Sequence, residues 1–102
     1  MNPKKFYLSN SNIHGKGTFA SRTIHRGEKI DVGIDYALNL IPYVTEDFGR
    51  YINHSWYPNS HLEYLEDKYY LVASKEIPED SEIIMDYRMT PWYILPPNPE
   101  WK

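Results

Sequence analysis

A chain of 102 residues holds one domain around one core, and at that length apolar burial stabilises a fold only modestly, so a compact β-structure or a dimer is expected. The absence of cysteine excludes disulfides and cysteine–zinc sites, and a net charge of −3 argues against nucleic acid as the main partner and suits a basic peptide better. Three Trp, ten Tyr and three Phe make a core built from large rings the simplest reading.

No apolar run approaches the length of a membrane span, and Met1–Asn10 is too polar for a signal peptide. A soluble, intracellular protein is expected, so the formal glycosylation acceptor Asn53–Ser55 is read as chance. Ser9–Gly17 is turn-rich, with Gly15 and Gly17 as hinges. Thr18–Ile24 is predicted as a strand, closed by a turn at His25–Arg26–Gly27. Glu28–Leu38 is predicted as a strand with Ile30, Val32, Ile34 and Tyr36 on one side. Thr45–Ile52 reads as a short helix capped by Thr45, with Glu46 and Asp47 in its first turn and Gly49 limiting its length. His61–Glu66 and Tyr69–Ser74 form a hairpin turning at Asp67–Lys68. Ile77–Ser81 is a turn and Glu82–Tyr87 a last strand. The tail, with Pro91, Pro96, Pro97 and Pro99, is excluded from regular helix and central strand, but Trp92, Tyr93, Ile94, Leu95 and Trp101 suit a segment packed on the body. One domain over 1–102 is expected, with 88–102 as that tail.

Three segments carry chemistry. In Ile13–Ala20, two glycines one residue apart let a backbone turn sharply and approach a ligand, although an ordinary turn before a strand would look the same. Arg50–Asn59, Arg-Tyr-Ile-Asn-His-Ser-Trp-Tyr-Pro-Asn, sets Asn, His and Ser among apolar and aromatic residues. Asn53 and His54, buried together, could fix a polar ligand or simply satisfy each other within a core turn. A metal site is disfavoured because His14, His25 and His61 show no ligand spacing with His54, and adjacent Ser55 and His54 make a poor nucleophilic pair because neighbouring side chains diverge. The third segment, Ile77–Tyr87, reads on its own as a turn and a strand ending in Asp-Tyr, where a tyrosine is usually packing.

Taken in order, the three segments resemble the SET-domain family. That family carries Gly-x-Gly near its start, Arg-Phe-Ile-Asn-His-Ser-Cys-x-Pro-Asn past its middle and Gly-Glu-Glu-Leu-Thr-Tyr-Asp-Tyr near its end. Arg50, Ile52, Asn53, His54, Ser55, Pro58 and Asn59 match the middle motif, Glu82, Asp86 and Tyr87 match the last, and Ile24–Glu28 resembles the family's turn after its first strands. The resemblance spans about residues 5 to 95. It implies a mostly β fold of the β-clip type, with short strands in small sheets, a knot-like C-terminal segment and little helix.

It also implies an S-adenosylmethionine-dependent protein lysine N-methyltransferase. Gly15, Lys16, Gly17, Arg50, Asn53 and His54 would form the cofactor surface, and Trp92 would cover it, as aromatic residues do in compact viral and microbial members. Tyr87 would be the catalytic tyrosine, and Tyr36, Tyr43, Met85 and Tyr87 the residues around the substrate channel. Transfer would be direct and in line to a desolvated amine. The implied partner is a protein or peptide with a basic, lysine-containing segment; neither nucleic acid nor membrane is implied, and the compartment would be the host cytoplasm or nucleus if the source is viral. A homodimer is the expected way to cover an apolar patch on so small a domain.

This chain departs from the family pattern in three places. Trp56 stands where many members have a zinc-ligating cysteine, and the later cysteines are absent too, so no zinc is expected. Met85 stands where an aromatic residue often narrows the lysine channel, and Ser81 and Arg88 replace frequent glycines, with Asp80 expected to take the strained turn position. Only 22 residues, Asp31 to Ile52, lie where the family inserts a helical subdomain that walls the peptide groove. That pared wall leaves a second reading open: a non-catalytic SET-like module that binds peptide or cofactor.

Overall fold

The structure is a computed structural model, and it describes residues 4–13, 15–37, 41–46 and 48–89. Within them the chain forms eight strands: β1 (Phe6–Asn10), β2 (Lys16–Ala20), β3 (Lys29–Ala37), β4 (Ile41–Val44), β5 (Asn53–His54), β6 (Ser60–Leu65), β7 (Lys68–Ala73) and β8 (Glu82–Met85). Single 3₁₀ turns at Gly49–Tyr51 and Tyr87–Met89 are the helical elements among the described residues. The expected mostly β architecture with short strands is what forms. Residues 90–102 of the tail, including Trp92, lie outside the described residues, as does His14.

The strands hydrogen-bond in the order β1-β2-β8-β6-β7-β3-β4, with β5 beside β8. Most neighbours are antiparallel, but β8 runs parallel to both β5 and β6. The last described strand thus lies between the beginning and the middle of the chain, next to the Asn-His segment. Phe6, Ile24, Phe48, Leu71, Ile77 and Ile83 form the core under these sheets, with the Phe6 and Phe48 rings 4.6 Å apart.

Local chemistry explains where expectation and structure part. The β6–β7 hairpin turns at Glu66–Asp67, one residue before the expected place. Both residues have positive φ, 51° and 65°, the conformation that a two-residue turn needs to follow the twist of its strands. Asp80 takes the left-handed position expected of it, at φ 67°. In β3 the register slips against β7 between Lys29 and Asp31 and again between Val32 and Ile34. Each irregularity breaks the strict alternation, so Ile30, Gly33 and Ile34 are buried while Val32 and Tyr36 are only half-buried. The short helix expected at Thr45–Ile52 is one 3₁₀ turn. Thr45 is not its N-cap, which is Phe48 with no side-chain cap bond; instead Thr45 Oγ1 accepts the Gly49 amide (2.8 Å) and donates to the Val32 carbonyl (2.7 Å). The hydroxyl therefore ties the turn to β3, and a Cβ on Gly49 would lie 2.2 Å from the Gly33 carbonyl oxygen.

Candidate functional site

The Asn-His segment is shaped by bonds to β8. Asn59 acts as a strand substitute: its amide N–H donates to the Ile84 carbonyl (3.2 Å), its Oδ1 accepts the Ile84 N–H (3.0 Å) and its Nδ2 donates to the Glu82 carbonyl (2.8 Å). Ser60 Oγ donates to the Ile84 carbonyl at 2.7 Å, and the Ser55 N–H donates to the Met85 carbonyl at 2.9 Å. Pro58-Asn59 therefore fastens the loop, and the registers Asn53 with Ile84 and His54 with Met85 follow.

Asn53 and His54 are both buried. Asn53 Nδ2 donates to Glu82 Oε2 at 2.8 Å and reaches the Lys16 carbonyl at 3.4 Å. Ser11 Oγ donates to the same carboxylate at 2.8 Å. Glu82, on the strand face opposite buried Ile83 and Met85, thus joins the glycine loop to the Asn-His segment. Sequence reasoning used Glu82 to align the last motif but gave it no role. Its only signal was an acidic side chain opening a strand whose alternate positions are apolar.

The loop backbone is built for close approach. Gly15 sits at φ 47°, and a Cβ there would meet nothing within 4 Å. A Cβ on Gly17 would lie 2.3 Å from Glu82 Oε2, so any side chain there would displace that carboxylate.

At the other end of the segment, Tyr87 donates its hydroxyl to the Ile52 carbonyl at 2.6 Å, and its backbone N–H donates to His54 Nδ1 at 3.0 Å. Nδ1 is therefore an acceptor, and the His54 ring is neutral. Burial pushes its pKa below the ordinary value; the Arg88 charge acts the same way and Asp86, 3.9 Å from Nδ1, opposes them. Burial likewise pushes the Tyr87 hydroxyl up, so the phenol keeps its proton. Arg88, which sequence reasoning left without a role, grips Asp86 through Nε (2.9 and 3.0 Å) and its terminal nitrogen, and lies 4.7 Å over the Trp56 ring. That bidentate grip is the main cause that lowers the Asp86 pKa. Trp56 in turn stands edge-on to His54, with centroids 4.3 Å apart.

Behind Tyr87 opens an apolar cavity of about 300 Å³, with Ile52, Met85 and Tyr87 on one side and Gly33, Ile34, Val44 and Leu62 on the other. Arg50 lines this cavity, with its guanidinium 5.4 Å over the Tyr51 ring, and so stands on the cavity side of the segment rather than at the Gly15–Gly17 loop. Tyr36 and Tyr43 belong to the same hairpin, but the cavity lining comes from Ile34 and Val44. Tyr43 neighbours Val44 and so points to the opposite face of β4, and Tyr36 lies two residues beyond Ile34. Among the described residues, no three His, Asp or Glu side chains gather as a metal site, and no helix is long and apolar enough to cross a membrane.

The model of the SET domain matches residues 34–88, just over half of the chain. The chain belongs to the SET-domain family. The match runs from Ile34 in β3 through the Asn-His segment to Arg88, and so takes in the cavity lining except Gly33, and the Arg88 grip. No curated protein matches the chain. Among solved structures, a Plasmodium falciparum protein named as a candidate histone methyltransferase superposes with a TM-score of 0.69 at 22% identity, covering 89% of this chain and 99% of that one. At that identity the likeness shows the fold.

Proposed function

We propose that this SET domain is an S-adenosylmethionine-dependent protein lysine N-methyltransferase acting on a basic, lysine-containing segment of a protein. The observation that carries the reading is the double junction on the Asn-His segment: Asn53 is bonded to Glu82 beside the Lys16 carbonyl, and one residue before Asn53 the Ile52 carbonyl holds the Tyr87 hydroxyl. The three motifs meet there: Asn53 Nδ2 bonds both Glu82 of the last motif and the Lys16 carbonyl of the glycine segment.

The donor set fits the zwitterionic end of an amino-acid cofactor. The Glu82 carboxylate and the Lys16 carbonyl are acceptors for an ammonium, while Asn53 and the open backbone around Gly15 offer donors for a carboxylate. We assign Gly15, Lys16, Gly17, Asn53 and His54 to that surface, Arg50 to its neighbourhood through the shared segment, and Trp92 to its cover. When bound, S-adenosylmethionine supplies an electrophilic methyl on a positively charged sulfur.

The remaining chemistry belongs to the protein. A lysine amine, with an ordinary pKa of about 10.4, must be neutral to attack. The apolar cavity ending at Met85 and Tyr87 disfavours its charged form and takes its alkyl stem. Tyr87 Oη donates its proton to the Ile52 carbonyl, so toward the amine it acts as an acceptor that orients it. Positioning and desolvation then carry the rate, without a strong general base. Met85 in place of a ring leaves that end of the cavity wide, which favours more than one methyl.

One observation favours the binding-module reading: between β3 and the Asn-His segment, the elements among the described residues are β4 and a 3₁₀ turn, with Ile41, Tyr43 and Val44 exposed where a wall would stand. Docking of a second copy on those residues is the homodimer this reading would use. Calorimetric titration with S-adenosylmethionine tests cofactor use, with Asn53→Ala expected to weaken binding by about tenfold or more. No heat at millimolar cofactor would sink the proposal. Transfer to basic peptides then separates enzyme from module: Tyr87→Phe is expected to lose about a hundredfold in rate while binding cofactor like the parent. Equal rates would remove Tyr87 from catalysis.

A further inference from the structure

The two residues by which this chain most visibly departs from its family near the site, Trp56 and Arg88, contact each other. Arg88 lies 4.7 Å over Trp56, and Trp56 meets the His54 ring edge-on at 4.3 Å. Arg88 also holds both oxygens of Asp86, a carboxylate that is only 5% exposed, and its own backbone N–H donates to Asp86 Oδ1 at 2.9 Å. The unit therefore spans two segments far apart in sequence, the loop 53–56 and the turn 86–88.

What it encloses is the bond from the Tyr87 N–H to His54 Nδ1. That bond exists only while Nδ1 is unprotonated. The charged groups that face His54 among the described residues are Asp86, at 3.9 Å, and Arg88; Trp56 and Tyr87 face it with rings. A bare Asp86 so close would favour protonation of Nδ1, and that proton would break the bond to Tyr87. Arg88 neutralises Asp86, and its guanidinium lies over the Trp56 ring that stands against His54.

We propose that Arg88 is a positioning residue: by holding Asp86 and lying on Trp56, it keeps His54 an acceptor for the Tyr87 amide and so fixes where the Tyr87 hydroxyl stands. The inference deepens the methyltransferase reading, on which the use of Tyr87 rests, but the state of His54 does not depend on that reading. The device joins the Asn-His loop to the turn at 86–88 through the Arg88, Asp86, Trp56 and His54 side chains and the Tyr87 amide.

The test is an NMR titration of the ligand-free protein that follows the His54 ring and the Tyr87 amide together in the parent, Arg88→Gln, Arg88→Lys and Asp86→Asn. In the parent, the Tyr87 amide should shift with the same midpoint as the His54 ring. Arg88→Gln should move that midpoint up, Asp86→Asn should move it down, and Arg88→Lys, which keeps the charge and loses the fork, should fall between Arg88→Gln and the parent. Opposite directions for the first two variants mark electrostatic control. If both move up, the variants have merely admitted water to the ring, and the proposal fails. It fails equally if the Tyr87 amide ignores the His54 titration. Should Asp86→Asn not fold, the order of the two Arg88 variants decides: equal midpoints for Gln and Lys overturn the proposal. Because no arm uses cofactor or turnover, the titration gives the same answer whether or not the protein is an active methyltransferase.

Discussion

The two faces of β8 and the turn after it are built on opposite principles. Toward the Asn-His segment, the contacts are directed polar bonds: Glu82 with Asn53 and Ser11, Asn59 with the β8 backbone, His54 with the Tyr87 amide, Arg88 with Asp86. Toward β3 and β6, Met85 and Tyr87 look across an apolar cavity to Ile34, Val44 and Leu62. Directed bonds fix positions and tolerate little change, whereas an apolar wall fixes only volume. On the proposed reading, the directed half would serve the cofactor and the apolar half the substrate stem. Substitutions on the two faces should therefore fail in different ways.

The sharpest break lies at Gly17. An alanine there places its Cβ 2.3 Å from Glu82 Oε2, and the carboxylate cannot retreat without releasing Asn53 and Ser11. Gly17→Ala is expected to cost about 1–3 kcal/mol of stability, read as a lower midpoint in urea, and to lose cofactor binding with it. Glu82→Gln, which keeps shape and can still accept from Asn53, should retain most of the stability. If Gly17→Ala binds cofactor like the parent, the Glu82–Asn53 junction is not part of the cofactor surface.

The same face should respond to pH. The folded His54 pKa lies below its ordinary 6.5, mainly because of burial, so the folded state favours the neutral ring. Stability from this residue is therefore complete above pH 6.5 and is lost as pH falls through the folded value. Glu28, bonded to Arg22, is lowered from 4.5 to about 2 and adds a second loss, beginning below pH 4.5. Thermal melts between about pH 7.5 and 5 isolate the His54 step. His54→Asn, whose side-chain oxygen can still accept the Tyr87 amide, should flatten the curve in that window, and an unchanged slope would show that the loss does not come from His54.

The contrast between the faces also explains what could be seen in the sequence. The polar face was legible because directed bonds demand particular residues in a particular order, and Asn53, His54, Asn59, Asp86 and Tyr87 stand in that order. The apolar face was not. β4 escaped because Ile41–Val44 contains Pro42 and is too short and exposed for alternation to show, though as an edge strand it tolerates a proline. β1 escaped because only Phe6 of its five residues is buried. Alternation alone places Val32 inward, because it cannot show the register slips in β3. The Arg88–Trp56 contact joins residues 32 apart, which no local pattern reveals.

The smallest effect is expected on the cavity side. Leu62 packs against the core from β6 and lines the cavity opposite Met85 and Tyr87. Leu62→Phe adds bulk into a space of about 300 Å³ that can take it, so it should raise stability by roughly 0.5–1 kcal/mol, read as a small rise in Tm. Cofactor affinity should stay within about twofold of the parent, because no directed bond of the other face is touched. Transfer to a lysine peptide should nonetheless fall, mostly through KM, since the ring occupies the room that the substrate stem would use. A variant that is more stable, binds cofactor equally and uses peptide less well would separate the two faces in one molecule. If Leu62→Phe instead weakens cofactor binding as Gly17→Ala does, the faces are coupled through β8, and the cavity belongs to the same rigid unit as the Asn-His junction.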